Sequence, residues 1–312
     1  VKLEGIHHVT AICADAPRNV RFYAAGTLGL RLVKRTVNQD DPTVYHLFYA
    51  DEEGSAGADI TFFEYPGTPR GSAGEGMVHT VVWRVGSPGS LDFWGERLER
   101  EGFTAERSGD VLSFHDPEGL RHELVVYDGG ERPLVARAPD VPIEHALQGF
   151  HGVRAYASDP ERSRPLLEEH LAFQPSGPHQ WLVAGEERSG FYAYDEPPDT
   201  PPVPGAGTVH HVAFASRPED HGRWRERALG GGAAVTPIID RHYFRSIYFR
   251  EPSGVLFEIA TLGPGFAVDE PPERLGERLS LPPRFEPLRE RLERTLKPLP
   301  DPRAERTAKT RS

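Results

Sequence analysis

Four segments of this chain open alike, and that recurrence constrains its fold more than any other feature. They read Gly5-Ile-His-His-Val-Thr-Ala-Ile-Cys13, Gly76-Met-Val-His-Thr-Val-Val-Trp-Arg84, Gly149-Phe-His-Gly-Val-Arg-Ala-Tyr156 and Gly207-Thr-Val-His-His-Val-Ala-Phe214. Each is rich in β-formers, partly alternating, with His near its start, which is the pattern of a strand. A helix-like stretch follows each one: Pro17 to Thr27, Ser90 to Glu101, Pro160 to Leu171 and Pro218 to Leu229. Pro near the start suits the first helical turn in three of them, and Ser90 is the expected N-cap of the other. Short strand candidates separated by turn residues come next, and two closing hairpins read almost alike, Phe114-His-Asp-Pro-Glu-Gly119 and Phe249-Arg-Glu-Pro-Ser-Gly254. First-strand histidines at 8, 79, 151 and 211 lie 71, 72 and 60 residues apart by subtraction. Repetition on this scale predicts four βαβββ units, each of which must pair with another to bury its sheet face.

The fold class expected is therefore α+β, with four βαβββ modules paired into two domains of curled mixed sheets. The stretch 131–148 carries Pro133, Pro139 and Pro142 and reads as a linker. It divides an N-terminal domain, 1–130, from a C-terminal domain, 149–265, each with two modules. Beyond them lies an extension, 266–312, with a helix expected over Pro283 to Leu296 and a disordered polar tail after it. Composition narrows the function. A single cysteine, Cys13, among 312 residues excludes a disulfide framework, a thiolate zinc site and a Cys-ligated iron–sulfur cluster. A net charge of −11 argues against nucleic acid as a partner. No apolar run approaches the roughly 20 residues of a membrane span, so the expectation is a cytoplasmic protein with no membrane partner. With 14 histidines to one cysteine, the imidazoles are where the chemistry is expected.

In the fourth module, His211 lies in the first strand and Glu258 in the last, which in a curled sheet brings both to one concave face. His8 holds the matching position in the first module and supplies a third ligand if modules one and four share a barrel. Two His and a carboxylate leave open positions on a metal, the set that suits non-haem Fe(II). A rival triad, His79, Glu123 and His151, holds the corresponding positions in modules two and three. The surroundings favour the first set: Asp240-Arg-His-Tyr-Phe-Arg-Ser-Ile-Tyr248 precedes Glu258, and His7 and His210 double the two first-strand histidines.

Residues 5 to about 262 resemble the vicinal oxygen chelate superfamily, and within it the hydroquinone ring-cleaving dioxygenases such as the 2,6-dichlorohydroquinone 1,2-dioxygenases. The resemblance rests on Leu3-Glu-Gly-Ile-His-His-Val-Thr10, Leu32-Val-Lys-Arg-Thr-Val-Asn-Gln-Asp-Asp-Pro42, Val209-His-His-Val-Ala-Phe214 and Asp240 to Gly254 running into Phe257-Glu258. It implies metal ligation by His8, His211 and Glu258. It also implies substrate-binding or orienting roles for His7, Thr10, His210, Arg241 and Tyr248, with His210 or His7 moving a proton. The activity implied is Fe(II)-dependent extradiol-type cleavage of hydroquinones or related dihydroxylated rings, with O2 as co-substrate and Mn(II) as the alternative metal. The expected partner is thus a small aromatic substrate, and edge strands make homo-oligomers an open expectation. Two other readings stay open: a glyoxalase-like isomerase or lyase with Glu64 as a fourth ligand, and a non-catalytic ligand-binding protein of the same fold.

Overall fold

The computed structural model describes residues 1–302. Module one runs through β1 (Ile6–Cys13), α1 (Ala16–Val20) with a π-helical turn over Arg21–Ala25, β2 (Arg31–Val37), β3 (Tyr45–Ala50) and β4 (Asp59–Glu64). Module two has β5 (Val78–Val85), α2 (Pro88–Arg100), β6 (Ala105–Ser108), β7 (Val111–His115) and β8 (Arg121–Val126). Module three has β9 (Phe150–Tyr156), β10 (Gln174–Gly177), β11 (Gln180–Ala184) and β12 (Ser189–Asp195). Its helical segment is only a 3-10 turn, Pro160–Arg162, and a π-helical turn, Leu166–His170. Module four has β13 (Val209–Ser216), α3 (His221–Gly230), β14 (Ile239–Asp240), β15 (Phe244–Arg250) and β16 (Leu256–Pro264). The cap of α2 is Ser87, whose hydroxyl accepts from the Ser90 amide, not Ser90 itself. Pro88 takes the first helical position, where its missing N–H costs nothing.

Glycine precedes every first strand for a backbone reason. Gly5, Gly76, Gly149 and Gly207 have φ of +79°, +74°, +88° and +81°. This left-handed region strains any residue with a Cβ. At Gly207 a Cβ would also lie 2.2 Å from the Glu118 carbonyl oxygen.

The strands form two eight-stranded mixed sheets, β14-β15-β16-β13-β1-β4-β3-β2 and β10-β11-β12-β9-β5-β8-β7-β6. Module one thus pairs with module four, through antiparallel β1 and β13, and module two with module three, through β5 and β9. The linear division at 131–148 does not coincide with the sheets, because each sheet draws one module from either side of it. The first strand of each module is central in its sheet, parallel to its own module's last strand and free on the other edge. That edge must find the equivalent strand of another module to satisfy its backbone groups.

All four tryptophans, Trp83, Trp94, Trp181 and Trp224, are buried in the core. A polar chain crosses it between modules one and two. Trp83 Nε1–H donates to His122 Nδ1 at 3.1 Å, so the His122 proton sits on Nε2 and is shared with Tyr23 Oη at 2.9 Å. Tyr23 in turn donates to Asp116 at 3.0 Å. The extension is tied on by Lys34, fully buried in β2, whose Nζ donates to Asp269 at 2.6 Å and Glu270 at 2.5 Å. Its helix, α4 (Arg289–Thr295), docks through Leu292, and from residue 303 onward the expected tail lies outside the described residues.

Burial pushes His122 down to about 3 from 6.5, and His115 nearby adds to this. The unfolded chain therefore takes up a proton that the folded chain refuses between about pH 6.5 and pH 3, so stability falls as pH drops through that window. The limiting slope is about 1.4 kcal/mol per pH unit for this one group. Denaturant unfolding across a pH series should show His122→Ala destabilised by about 2–4 kcal/mol at neutral pH and less steeply acid-sensitive than the parent.

Candidate metal centre

The pairing of β1 with β13 brings residues from both ends of the chain to one point. His8 Nε2 lies 3.2 Å and His211 Nε2 2.9 Å from Glu258 Oε2, and the two ring nitrogens are 3.3 Å apart. All three side chains are buried, and they form one group whose donor atoms lie within 4.8 Å of one another. Neither Glu258 oxygen has a partner in hydrogen-bond geometry. Burial alone would raise the Glu258 carboxyl, but His8 and His211 hold it well below the usual carboxylate range. A buried anion without a hydrogen-bond partner and two imidazole nitrogens converging on it fit a bound cation, and the nitrogen–oxygen donor set is that of a first-row transition metal rather than calcium or magnesium.

The tautomers agree. His7 Nε2 lies 3.2 Å from the Thr261 carbonyl oxygen, to which it can only donate, so His7 Nδ1 accepts from His8 Nδ1 at 2.9 Å. His8 is left with its Nε2 lone pair facing the cluster. His210 and His211 share the same Nδ1 contact at 2.8 Å. Each pair fixes the outward nitrogen of a ligand by a hydrogen bond behind it, as metal-binding imidazoles require.

Why histidines are doubled follows from the register. Ile6 faces Phe214 and His8 faces Ala213, so His7 is an extra residue in β1. Thr10 faces His211 and Ala11 faces Val209, so His210 is an extra residue in β13. These β-bulges re-aim the neighbouring side chain. The other sheet has the same two bulges, at His79 and His151. His79 and His151 therefore correspond to His7 and His210, not to the residues of the cluster. The positions that correspond to His8 and His211 are Thr80 and Gly152. Reading the repeats from the histidines alone placed the frame one residue off in modules two and three.

The rival triad is consequently not assembled. His79 bonds Asp195 at 3.0 Å and stacks on Tyr156 at 3.8 Å. Glu123 accepts from Arg121 at 3.0 Å. His151 packs against Tyr127 and Phe191, and the Phe191 ring fills the space over Gly152, 2.3 Å from where a Cβ would sit. Among the described residues, the only such group of three is His8, His211 and Glu258. The mate of Glu258 in module one, two positions beyond the first-strand ligand and across to the last strand, is Thr61. Glu64 lies farther along β4, buried, accepting from the Ala16 amide at 2.9 Å at the start of α1. A fourth carboxylate ligand is thus missing from the place where symmetry would put one.

The cluster opens on a cavity of about 470 Å³ whose walls include His210, Arg241, Tyr248, Phe63 and Phe244. Arg241 binds Asp40 through both terminal nitrogens at 3.0 Å, and its Nε lies 3.3 Å from Tyr248 Oη. Burial and the Glu258 charge keep the Tyr248 phenol protonated by pushing it up. His7 and Thr10 do not line the cavity: His7 sits behind His8, and Thr10 Oγ1 bonds Thr61 Oγ1 at 2.8 Å. Sequence reading missed His46, in β3, which lies on the cavity wall between Phe48 and Phe63 with ring centroids at 4.0 and 4.4 Å. A lone histidine in Tyr45-His-Leu-Phe-Tyr49, outside the repeated positions, carries no motif that would single it out.

A curled sheet of paired βαβββ modules around a His–His–carboxylate cluster defines a class of metal-dependent proteins. The chain belongs to the glyoxalase/bleomycin resistance protein/dioxygenase superfamily, whose model matches residues 5–124 and 149–259. It is 40% identical over 305 residues to a Bacillus subtilis protein assigned as the ring-cleaving dioxygenase MhqO, covering 95% of this chain and 97% of that one. It is 33% identical over 317 residues to the chlorohydroquinone/hydroquinone 1,2-dioxygenase of Sphingobium indicum, covering 95% and 96%. The crystal structure of a Bacillus subtilis protein assigned as a dioxygenase superposes with a TM-score of 0.88 at 39% identity, covering 96% of this chain and 98% of that one. Glyoxalase I from Zea mays shares the fold alone, with a TM-score of 0.57 at 15% identity over 82% of this chain and 92% of that one. No helix among the described residues is long and apolar enough to cross a membrane.

His8→Ala, His211→Ala and Glu258→Ala should each lose a stoichiometric divalent metal, measured by metal analysis after anaerobic loading and dialysis. His79→Ala and Glu123→Ala should retain it. His79→Ala should still cost about 1–2 kcal/mol in denaturant unfolding, for the lost Asp195 bond and Tyr156 stacking.

Proposed function

We propose that this chain is a ring-cleaving dioxygenase of hydroquinones, with His8, His211 and Glu258 holding iron(II). The observation that carries the reading is the buried three-residue cluster opening onto a largely aromatic-walled cavity. When bound, iron(II) supplies a path for electrons from an electron-rich ring to O2, and Mn(II) is the alternative occupant. The relatives named for ring cleavage and for hydroquinone support the substrate class. Thr61 at the fourth corner supports it against the isomerase reading, which calls for a further carboxylate.

The chain's own residues divide the work. Phe63, Phe244 and Phe48 form the walls that receive a flat ring and keep water from it. The Arg241 guanidinium, held in place by Asp40, favours the deprotonated form of a ring hydroxyl beside it. Tyr248, kept protonated, donates toward developing negative charge on oxygen. His210 lines the cavity and carries its proton on the nitrogen away from His211, so it is placed to pass a proton to or from the ring; His7 has both nitrogens committed. The reaction breaks a carbon–carbon bond next to a hydroxylated carbon, and both atoms of O2 enter the product.

Protein loaded with iron(II) without air and then exposed to oxygen should consume O2 with hydroquinone and yield a ring-opened product. No uptake and no such product with hydroquinone or catechol would overturn the proposal. Arg241→Ala should lower kcat/KM for hydroquinone by about 10²-fold while leaving the metal content unchanged.

A further inference from the structure

We infer that His46 is the residue that reads the second hydroxyl of the ring, accepting a hydrogen bond from the hydroxyl para to the one at the metal centre. The inference rests on the proposed hydroquinone chemistry and adds a recognition element on the wall of the same cavity.

His46 is placed for this by three strands. It stands on β3, two strands from β1 across β4, on the cavity wall. One ring nitrogen, Nε2, is bonded to Thr61 Oγ1 at 2.9 Å, and Thr61 Oγ1 is bonded to Thr10 Oγ1 at 2.8 Å. Thr10 and Thr61 are fully buried, so this chain anchors the imidazole from behind. Phe48 and Phe63 flank its faces and leave little freedom to turn. The other nitrogen, Nδ1, has no hydrogen-bond partner among the described residues, and the residue lines the cavity.

The protonation state suits an acceptor. Burial first, then the nearby His8 and His211, push His46 well below its ordinary range and keep it neutral. We assign the shared proton to His46 Nε2, with Thr61 Oγ1 accepting it, and Nδ1 then presents a lone pair. Several other oxygens on the cavity wall already accept a hydrogen bond, whereas the Thr36 hydroxyl on the same wall has no such partner among the described residues. Asn38 Oδ1 accepts from the Asp40 amide at 2.9 Å, and Gln39 Oε1 accepts from Arg284 at 2.8 Å. The Asp40 carboxylate is taken by Arg241, and Thr236 Oγ1 accepts from the Tyr248 amide at 3.0 Å. A phenolic O–H on the far side of a bound ring needs an acceptor, and an unmet one is costly in a closed cavity. His46 Nδ1 meets that need. Thr61 links the two functions: where symmetry calls for a fourth ligand, a hydroxyl instead orients the reader of the substrate.

Anaerobic calorimetry on the iron-loaded protein, with hydroquinone and with phenol as probes, tests this. The parent should bind hydroquinone about tenfold or more tightly than phenol, the effect of one buried hydrogen bond. His46→Phe, which keeps an aromatic ring between Phe48 and Phe63, should bring hydroquinone down to the affinity of phenol and leave phenol unchanged. His46→Gln, which restores an acceptor, should recover part of the preference. A hydroquinone-to-phenol ratio unaltered in a His46→Phe protein of native metal content, or a parent that does not distinguish the two, would overturn the inference. Failure of the ring-cleavage proposal reads differently: the parent would show the binding preference and no oxygen uptake.

Discussion

Everything at the metal centre depends on one antiparallel pairing, β1 against β13. Its backbone hydrogen bonds join residues that stand about 200 positions apart in sequence, and its two bulges turn His8 and His211 toward the same point. The parallel pairing of β13 with β16 adds Glu258 one strand further on. Moving the register by one residue would turn each ligand to the opposite face. The bulges hold the register as well as making the site, since an extra residue on each strand can be accommodated at only one offset.

The two sheets show what this pairing does and does not require. Both retain the bulge and the histidine in it, at His7 and His210 in one and His79 and His151 in the other. Only the first sheet keeps ligands beside the bulges. In the second, Thr80 and Gly152 replace them, and Phe191 packs into the room that Gly152 leaves. The bulge is thus an architectural element of the module, and metal binding is added to it by the next residue. His79 and His151 have become structural, one bonded to Asp195 and the other packed among aromatic rings.

Much of this was legible in the chain itself. A glycine, a β-rich run and a histidine at four matched places announced the modules, because the same backbone turn and the same core contact recur in each. His8, His211 and Glu258 were legible because two of them carry a doubled histidine and all sit in one repeated frame. The one-residue offset in modules two and three was not, since a bulge changes which neighbour faces the cavity without changing composition. Module pairing across the linker was legible only through the ligands, which call for modules one and four together, and not through the linker, which suggests contiguous pairs. His46 and the buried Lys34–Asp269–Glu270 cluster depend on contacts between distant segments and leave no local periodicity.

The order in which the chain emerges during synthesis gives the β1–β13 pairing a temporal consequence. β1 leaves the ribosome some 200 residues ahead of its partner strand, and Glu258 follows later still. At 5–20 residues per second, β1 waits about 10–40 s with one edge unsatisfied. Modules two and three, contiguous in sequence, can close their sheet within that interval. The metal centre is therefore a late product of folding, and a nascent chain cannot assemble all three ligands before the last strand of module four has been made.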